Sequence, residues 1–164
     1  MLKEYENRFL SSEVPAVPAD KARFHVIPVP YEATVSYAGG TARGPEAILE
    51  ASDQLELYDG TSFPGEGGIF TQHPVDCSGR PEEVMENVRR AVLAALDAGA
   101  MPVVLGGEHS LTYGEMVALK ERFGTFGVVQ FDAHADLRDS YEGSRWSHAS
   151  VMRRAVADLE LPLV

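Results

Sequence analysis

Asp132, His134 and Asp136 alternate in the stretch FDAHADLRD, and His109 stands in the earlier stretch GGEHS. Each group follows a short apolar run, TFGVVQF in the first case and MPVVLGG in the second. In open parallel α/β sheets, ligands gather beyond the carboxyl ends of the strands. If the two runs are neighbouring strands, about 4.8 Å apart, His109 faces the Asp132 group across a single strand spacing. Extended backbone through 132–136 would put all three side chains of that group on one face. Two carboxylates and two imidazoles without thiolate suit a borderline divalent ion such as manganese, zinc, iron or cobalt, better than calcium or a structural zinc. The bland alternatives are a solvated turn with local hydrogen bonds for Asp-x-His-x-Asp and a structural role for His109. Convergence of two strand ends favours the metal.

His148, in SHAS at a helix start, has two readings of similar weight. It is a proton donor or shuttle facing the metal cleft, since imidazole titrates near neutral pH, or it is a hydrogen-bonding group at a helix terminus. His25, inside an early apolar run, and His73, beside Pro74, have no ligand-type company and read as structural.

The elements that must position these residues follow from the pattern. FHVIPV, residues 24–29, is the first strand expected, after an irregular stretch that Pro15 and Pro18 interrupt. Gly39, Gly40 and Gly44 mark a loop, and Pro45 opens a helix with Ala47, Ile48 and Ala51 expected inward. Between Leu55 and Cys77 only Gly68-Ile69-Phe70 suggests a strand. Pro81 then opens an amphipathic helix whose stripe is Val84, Val88, Ala91, Val92 and Ala95, with acids in its first turn and Gly99 as its stop. MPVVLGG, the helical segment LTYGEMVALKERFG and TFGVVQF read as a βαβ unit, with both strands buried on two faces as in a parallel sheet. A last helix over SHASVMRRAVADLEL would bury Val151, Met152, Ala155, Val156 and Leu159. The class is α/β.

The composition sets bounds on the partner. Fourteen basic against 25 acidic residues leave a formal charge of −11, which opposes nucleic acid and favours a cationic ligand. Cys77 is the sole cysteine, so no internal disulfide and no cysteine-based zinc cluster can form, and it reads as a packing residue. The N-terminus is charged and proline-broken, and no apolar run reaches membrane-spanning length, so the expected location is cytoplasmic.

Taken in order, GGEHS (106–110), DAHAD (132–136) and SHAS (147–150) resemble the ureohydrolase family of arginases and agmatinases. The early loop with Ser36-Tyr37, Gly40-Thr41 and Gly44-Pro45 shares the resemblance, which covers the chain from about residue 24 onward. The resemblance implies a three-layer α/β/α fold with a mainly parallel sheet and a binuclear manganese site at the strand ends, hydrolysing a guanidinium group to urea and an amine. Carried over by position, His109 and Asp136 resemble ligands of one manganese, His134 of the other, and Asp132 the bridge. His148 resembles the family's proton-handling histidine. Arginases hold the amino-acid head of arginine with an Asn/Ser/Thr-rich loop, whereas LRDSYEGSRW is similar to agmatinases. The expected substrate is therefore agmatine, split to putrescine and urea, with guanidinobutyrate and arginine as alternatives on the same scaffold. A homo-oligomer is the family's habit.

Residues 1–22 are expected to be an N-terminal arm, and 23–164 the N-terminal portion of a single arginase-like α/β domain, incomplete at its C-terminus. The family's later Ser-x-Asp-x-Asp-x-x-Asp-Pro segment has no counterpart here. A short non-catalytic relative acting as a binding module is the competing reading. With two aspartate ligands of the family's metal site missing, the 164-residue chain alone is expected to release negligible urea from agmatine in the presence of manganese. A colorimetric urea assay checks this, and turnover at an ordinary enzymatic rate would contradict it.

Overall fold

The computed structural model describes residue 2 and residues 4–162. Seven main elements follow one another: β1 (Phe24–Val29), α1 (Gly44–Ser52), β2 (Ile69–Thr71), α2 (Pro81–Asp97), β3 (Met101–Gly106), α3 (Thr112–Phe123) and α4 (Val151–Ala157). Among the described residues the sheet is parallel, in the order β2-β1-β3, with Val26 opposite Thr71 and Val103, and Val29 opposite Gly106. None of the described helices is long and apolar enough to cross a membrane.

The sheet presents two apolar faces because β1 is apolar at successive positions. Ile27 and Val29 point to one side and meet Val84, Val88, Val92 and Ala95 of α2. These six side chains are fully buried. The opposite face carries Phe24, Val26, Ile69, Val103 and Leu105, and the N-terminal segment reaches it through Phe9 and Leu10. Ser52, at the end of α1, accepts the Leu10 N–H at 2.8 Å and so anchors that segment. His25 is wholly buried in β1. Its Nε2 lies 2.9 Å from the Ala19 carbonyl and its Nδ1 3.3 Å from Gln72. Burial lowers its pKa, which keeps the ring neutral in the structural role expected of it.

One helix expectation holds, one holds in part and one needs correction. The stripe of α2 is the expected one, with Met85 added and Ala91 half-buried. In the last segment, Val151 and Ala155 of α4 and Leu159 beyond its end join Met116 and Leu161 in a second cluster, against which Met152 packs, while Val156 is only half-buried and the α-helix is shorter than the stretch expected. In α1, however, Pro45, Leu49 and Ser52 are the buried residues, while Ala47, Ile48 and Ala51 are exposed. The inward face is the i, i+4, i+7 row that begins at Pro45. Ser52 is on it because its hydroxyl finds partners at Leu10 and Leu49.

The βαβ expectation is corrected in its second half. β3 forms as expected but lies at the edge, with Met101 58% and Val103 37% exposed rather than buried on both faces. Residues 125–131 form no ladder with any described residue, and Val129 and Phe131 are 81% and 98% exposed. A strand of this apolar type needs hydrogen-bonded neighbours and layers on both faces; among the described residues none supplies them.

α3 comes close against α2 at Gly114. A Cβ there would stand 2.5 Å from the Met85 carbonyl and 2.8 Å from Val88 Cβ. Alanine normally improves a helix interior by about 1 kcal/mol over glycine. Here Gly114→Ala must push two backbones apart, so it should destabilise the chain by about 1–2 kcal/mol net. Urea denaturation, compared with the exposed control Ile48→Ala, which should stay within roughly 0.5 kcal/mol of the parent, tests the contact.

Candidate functional site

The strand exits are locked together before any functional side chain is placed. Past Gly106, the Gly107 N–H donates to the Val29 carbonyl at 3.1 Å and the Glu108 N–H to the Tyr31 carbonyl at 2.9 Å. Gly107 has to be glycine: a Cβ would fall 2.0 Å from the Tyr31 oxygen. The chain then turns through a 3-10 segment, His109–Leu111, into α3. His109 is thereby held at the carboxyl end of β3 and aimed outward.

Opposite it, FDAHADLRD does not stay extended. Asp132 Oδ1 accepts the His134 N–H at 2.8 Å, a local aspartate turn. Asp136 has a left-handed φ of 49°, a conformation aspartate tolerates better than most residues. Its carbonyl accepts the Arg153 N–H at 3.1 Å, and the Arg138 N–H donates to the Ala149 carbonyl at 3.2 Å. The start of α4 thus holds the loop. Because the backbone bends, the alternation expected of 132, 134 and 136 is broken, and Asp132 and Asp136 turn toward His109 while the His134 side chain is 81% exposed.

His109 Nδ1 lies 2.7 Å from Asp136 Oδ2 and 3.5 Å from Asp132 Oδ2. One donor atom from each of the three residues falls within 4.8 Å of the others. His134 Nδ1 is 3.5 Å from Asp132 Oδ1, on the outer side of the same carboxylate. Hydrogen bonding from the His134 amide, and then from the Gln130 side chain, holds the Asp132 carboxyl below its usual pKa. Asp132 is therefore ionised at neutral pH. An imidazole nitrogen and two converging carboxylates, one of them almost buried, are a donor set that fits a divalent cation.

His148 stands at the start of the 3-10 turn His148–Ser150, whose N-cap Ser147 accepts the Ala149 N–H. The ring is at a helix start and also lines an open cleft of about 390 Å³ with Ser36, Glu108, His109, Asp132 and Asp136. Its ring meets the Tyr141 ring edge-to-face at 5.9 Å. His73 stacks edge-on with the Tyr5 ring at 5.5 Å and does not line this cleft. Cys77 packs against the α2 core, and burial pushes its thiol up to about 11. It is protonated at neutral pH.

Sequence reasoning passed over Glu108. Its side chain is 4% exposed and accepts four hydrogen bonds: the Ala33 and Thr34 N–H groups at 2.6 Å each, the Thr34 hydroxyl at 2.8 Å and the Ser110 hydroxyl at 2.5 Å. Thr34 in turn touches His148, its Oγ1 lying 3.0 Å from the backbone N and 3.1 Å from Nδ1. Ser36 Oγ is 3.4 Å from His148 Nε2. The loop after β1 therefore belongs to the site. The only local hint was an acid beside His109 at a strand end, where a buried charge needs donors that some other segment must bring.

Comparison with known proteins agrees with this architecture. The arginase family profile matches residues 22–162. An N(1)-aminopropylagmatine ureohydrolase of Synechocystis is 45% identical over 94% of this chain and 53% of its own length. One from Thermus thermophilus is 42% identical over 90% of this chain and 51% of its own. The crystal structure of an agmatine ureohydrolase of Thermoplasma volcanium superposes with a TM-score of 0.81 at 32% identity, covering 94% of this chain and 52% of the other. The chain spans about half the length of the curated relatives it matches. With that fold, those three motifs and a match across residues 22–162, the chain belongs to the arginase family.

Proposed function

We propose that the protein carrying this chain hydrolyses a small cationic guanidino compound, agmatine or an N-substituted agmatine, to urea and an amine. The observation that carries the reading is the approach of His109, Asp132 and Asp136 at the carboxyl end of the sheet, in a member of the arginase family. The relatives' names support the substrate class, one of them being an N(1)-aminopropylagmatine ureohydrolase.

In this reading His109, Asp132 and Asp136 would hold manganese, with His134, beside the outer oxygen of Asp132, as a further candidate ligand. Divalent ions bound there supply a water whose pKa is lowered toward neutrality and a Lewis acid for charge that develops during the reaction. The chain's own residues do the rest. The chain's formal charge of −11 favours the approach of a guanidinium cation. In the hydrolysis, water adds to the guanidinium carbon and the bond from that carbon to the amine nitrogen breaks, so the departing amine needs a proton. His148 lines the same cleft, imidazole is the side chain best suited to proton transfer near neutral pH, and Nε2 is the atom at which it would take up and deliver that proton.

Asp136→Asn in the 164-residue chain should weaken manganese binding by roughly tenfold or more, since even outer partners of a metal ligand are worth about that much. Calorimetric titration with manganese chloride reads the change, and unchanged affinity would remove Asp136 from the ligand set. In the natural gene product, His148→Asn should lower kcat by about 10²-fold or more, with metal content unaltered. Urea release from agmatine, N(1)-aminopropylagmatine, guanidinobutyrate and arginine tests the substrate class. Activity on arginine alone would sink the assignment.

A further inference from the structure

We propose that Glu108, acting through Thr34, holds neutral His148 in the tautomer that carries its proton on Nδ1, leaving the Nε2 lone pair toward the cleft. The proposal deepens the functional reading above and rests on it for its catalytic meaning, though not for its test. Glu108 and Thr34 are positioning residues in this scheme; neither needs to touch the substrate.

Donor counting leads to it. Thr34 Oγ1 has one proton and three neighbours: Glu108 Oε1 at 2.8 Å, the His148 backbone N at 3.0 Å and His148 Nδ1 at 3.1 Å. The backbone N–H can only donate, so it takes one of the hydroxyl's lone pairs. Glu108 meets two amide N–H groups at Oε2 and two hydroxyls at Oε1, so its carboxylate serves as acceptor throughout. The Thr34 proton is directed to Glu108. One lone pair remains on Thr34 Oγ1, and it can be satisfied only if Nδ1 is the donor. Nε2 then carries no proton in the neutral ring, and the Ser36 hydroxyl, 3.4 Å away, is free to donate to it. Ser147 Oγ also lies near Nδ1, but at 3.5 Å, the limit of hydrogen-bond distance, it is a weaker partner than Thr34 Oγ1 at 3.1 Å.

The consequence for function is directional. A proton taken from the reacting water's side can be received only at Nε2, the nitrogen not committed to Thr34. The imidazolium so formed keeps its Nδ1–H bond to Thr34 and stays oriented while it returns the Nε2 proton to the leaving amine. Seventy-four residues separate Thr34 from Glu108, and 114 separate it from His148, so the relay is entirely a product of the fold.

The test reads the proton directly. Protein labelled with ¹⁵N-histidine, without added metal and with chelator present, is examined by long-range ¹H–¹⁵N correlation at alkaline pH, and His148 is assigned by the resonances lost in His148→Gln. The parent and Thr34→Ser should show Nδ1 as the protonated nitrogen. In Glu108→Gln the new amide can donate to Thr34 Oγ1, which frees the threonine proton for Nδ1, so the proton should move to Nε2. Thr34→Val removes the lone pair, and the Nδ1–H form should again be lost; this variant serves if Glu108→Gln does not fold. A proton found on Nε2 in the parent, or an unchanged tautomer in folded Glu108→Gln or Thr34→Val, would overturn the proposal. Because neither metal nor substrate is present, these outcomes are independent of whether the natural protein releases urea.

Discussion

A buried carboxylate stands where two strand exits meet, and the arrangement of the cleft depends on its being satisfied. Taking a charged group out of water carries a penalty of several kcal/mol unless hydrogen bonds replace the lost solvation. Glu108 meets that condition with four donors drawn from its own turn and from the loop after β1. The two short amide bonds fix the backbone at Ala33 and Thr34, and the close approach of Gly107 to Tyr31 brings the segments near enough for those bonds to form. One side chain with four donors thus orders the loop after β1.

A second carboxylate works alike one loop further on. Glu32 accepts the Gly40 and Ala42 N–H groups and the Thr41 hydroxyl, bonds that hold it below its usual pKa. The segment between β1 and α1 is therefore arranged around two acids, one buried and one half-buried. Opposite it, Arg154, buried in α4, bonds the Asp139 carbonyl at 3.2 Å and carboxylate at 2.8 Å. Charge-assisted hydrogen bonds of this kind set loop geometry more firmly than exposed ion pairs do. Both walls of the cleft consequently rest on polar contacts, whereas the helices behind them rest on apolar burial.

Much of the framework was legible because burial leaves a period in the sequence. Val84, Val88, Val92 and Ala95 mark the inner face of α2 by spacing alone, and FHVIPV marks β1 by its continuous apolar run. The same logic failed at α1, where a serine rather than Ile48 faces inward, since a hydroxyl with two partners is as acceptable inside as a methyl group. It failed for TFGVVQF too, because an apolar run states a preference for burial and cannot supply the neighbours that would satisfy it.

At the site, residue types and motif order determined the chemistry on offer: carboxylates and imidazoles at the ends of parallel strands, and with them the resemblance to a family. Tertiary structure decided which of those side chains meet. Asp132 and Asp136 converge on His109 because the intervening backbone bends, not because it alternates, and His134 turns outward for the same reason. The joining of Glu108, Thr34 and His148 left no trace in periodicity or spacing. Hydrogen bonds between distant residues depend on sub-ångström placement that the whole packed fold provides, and no local pattern of residues encodes it.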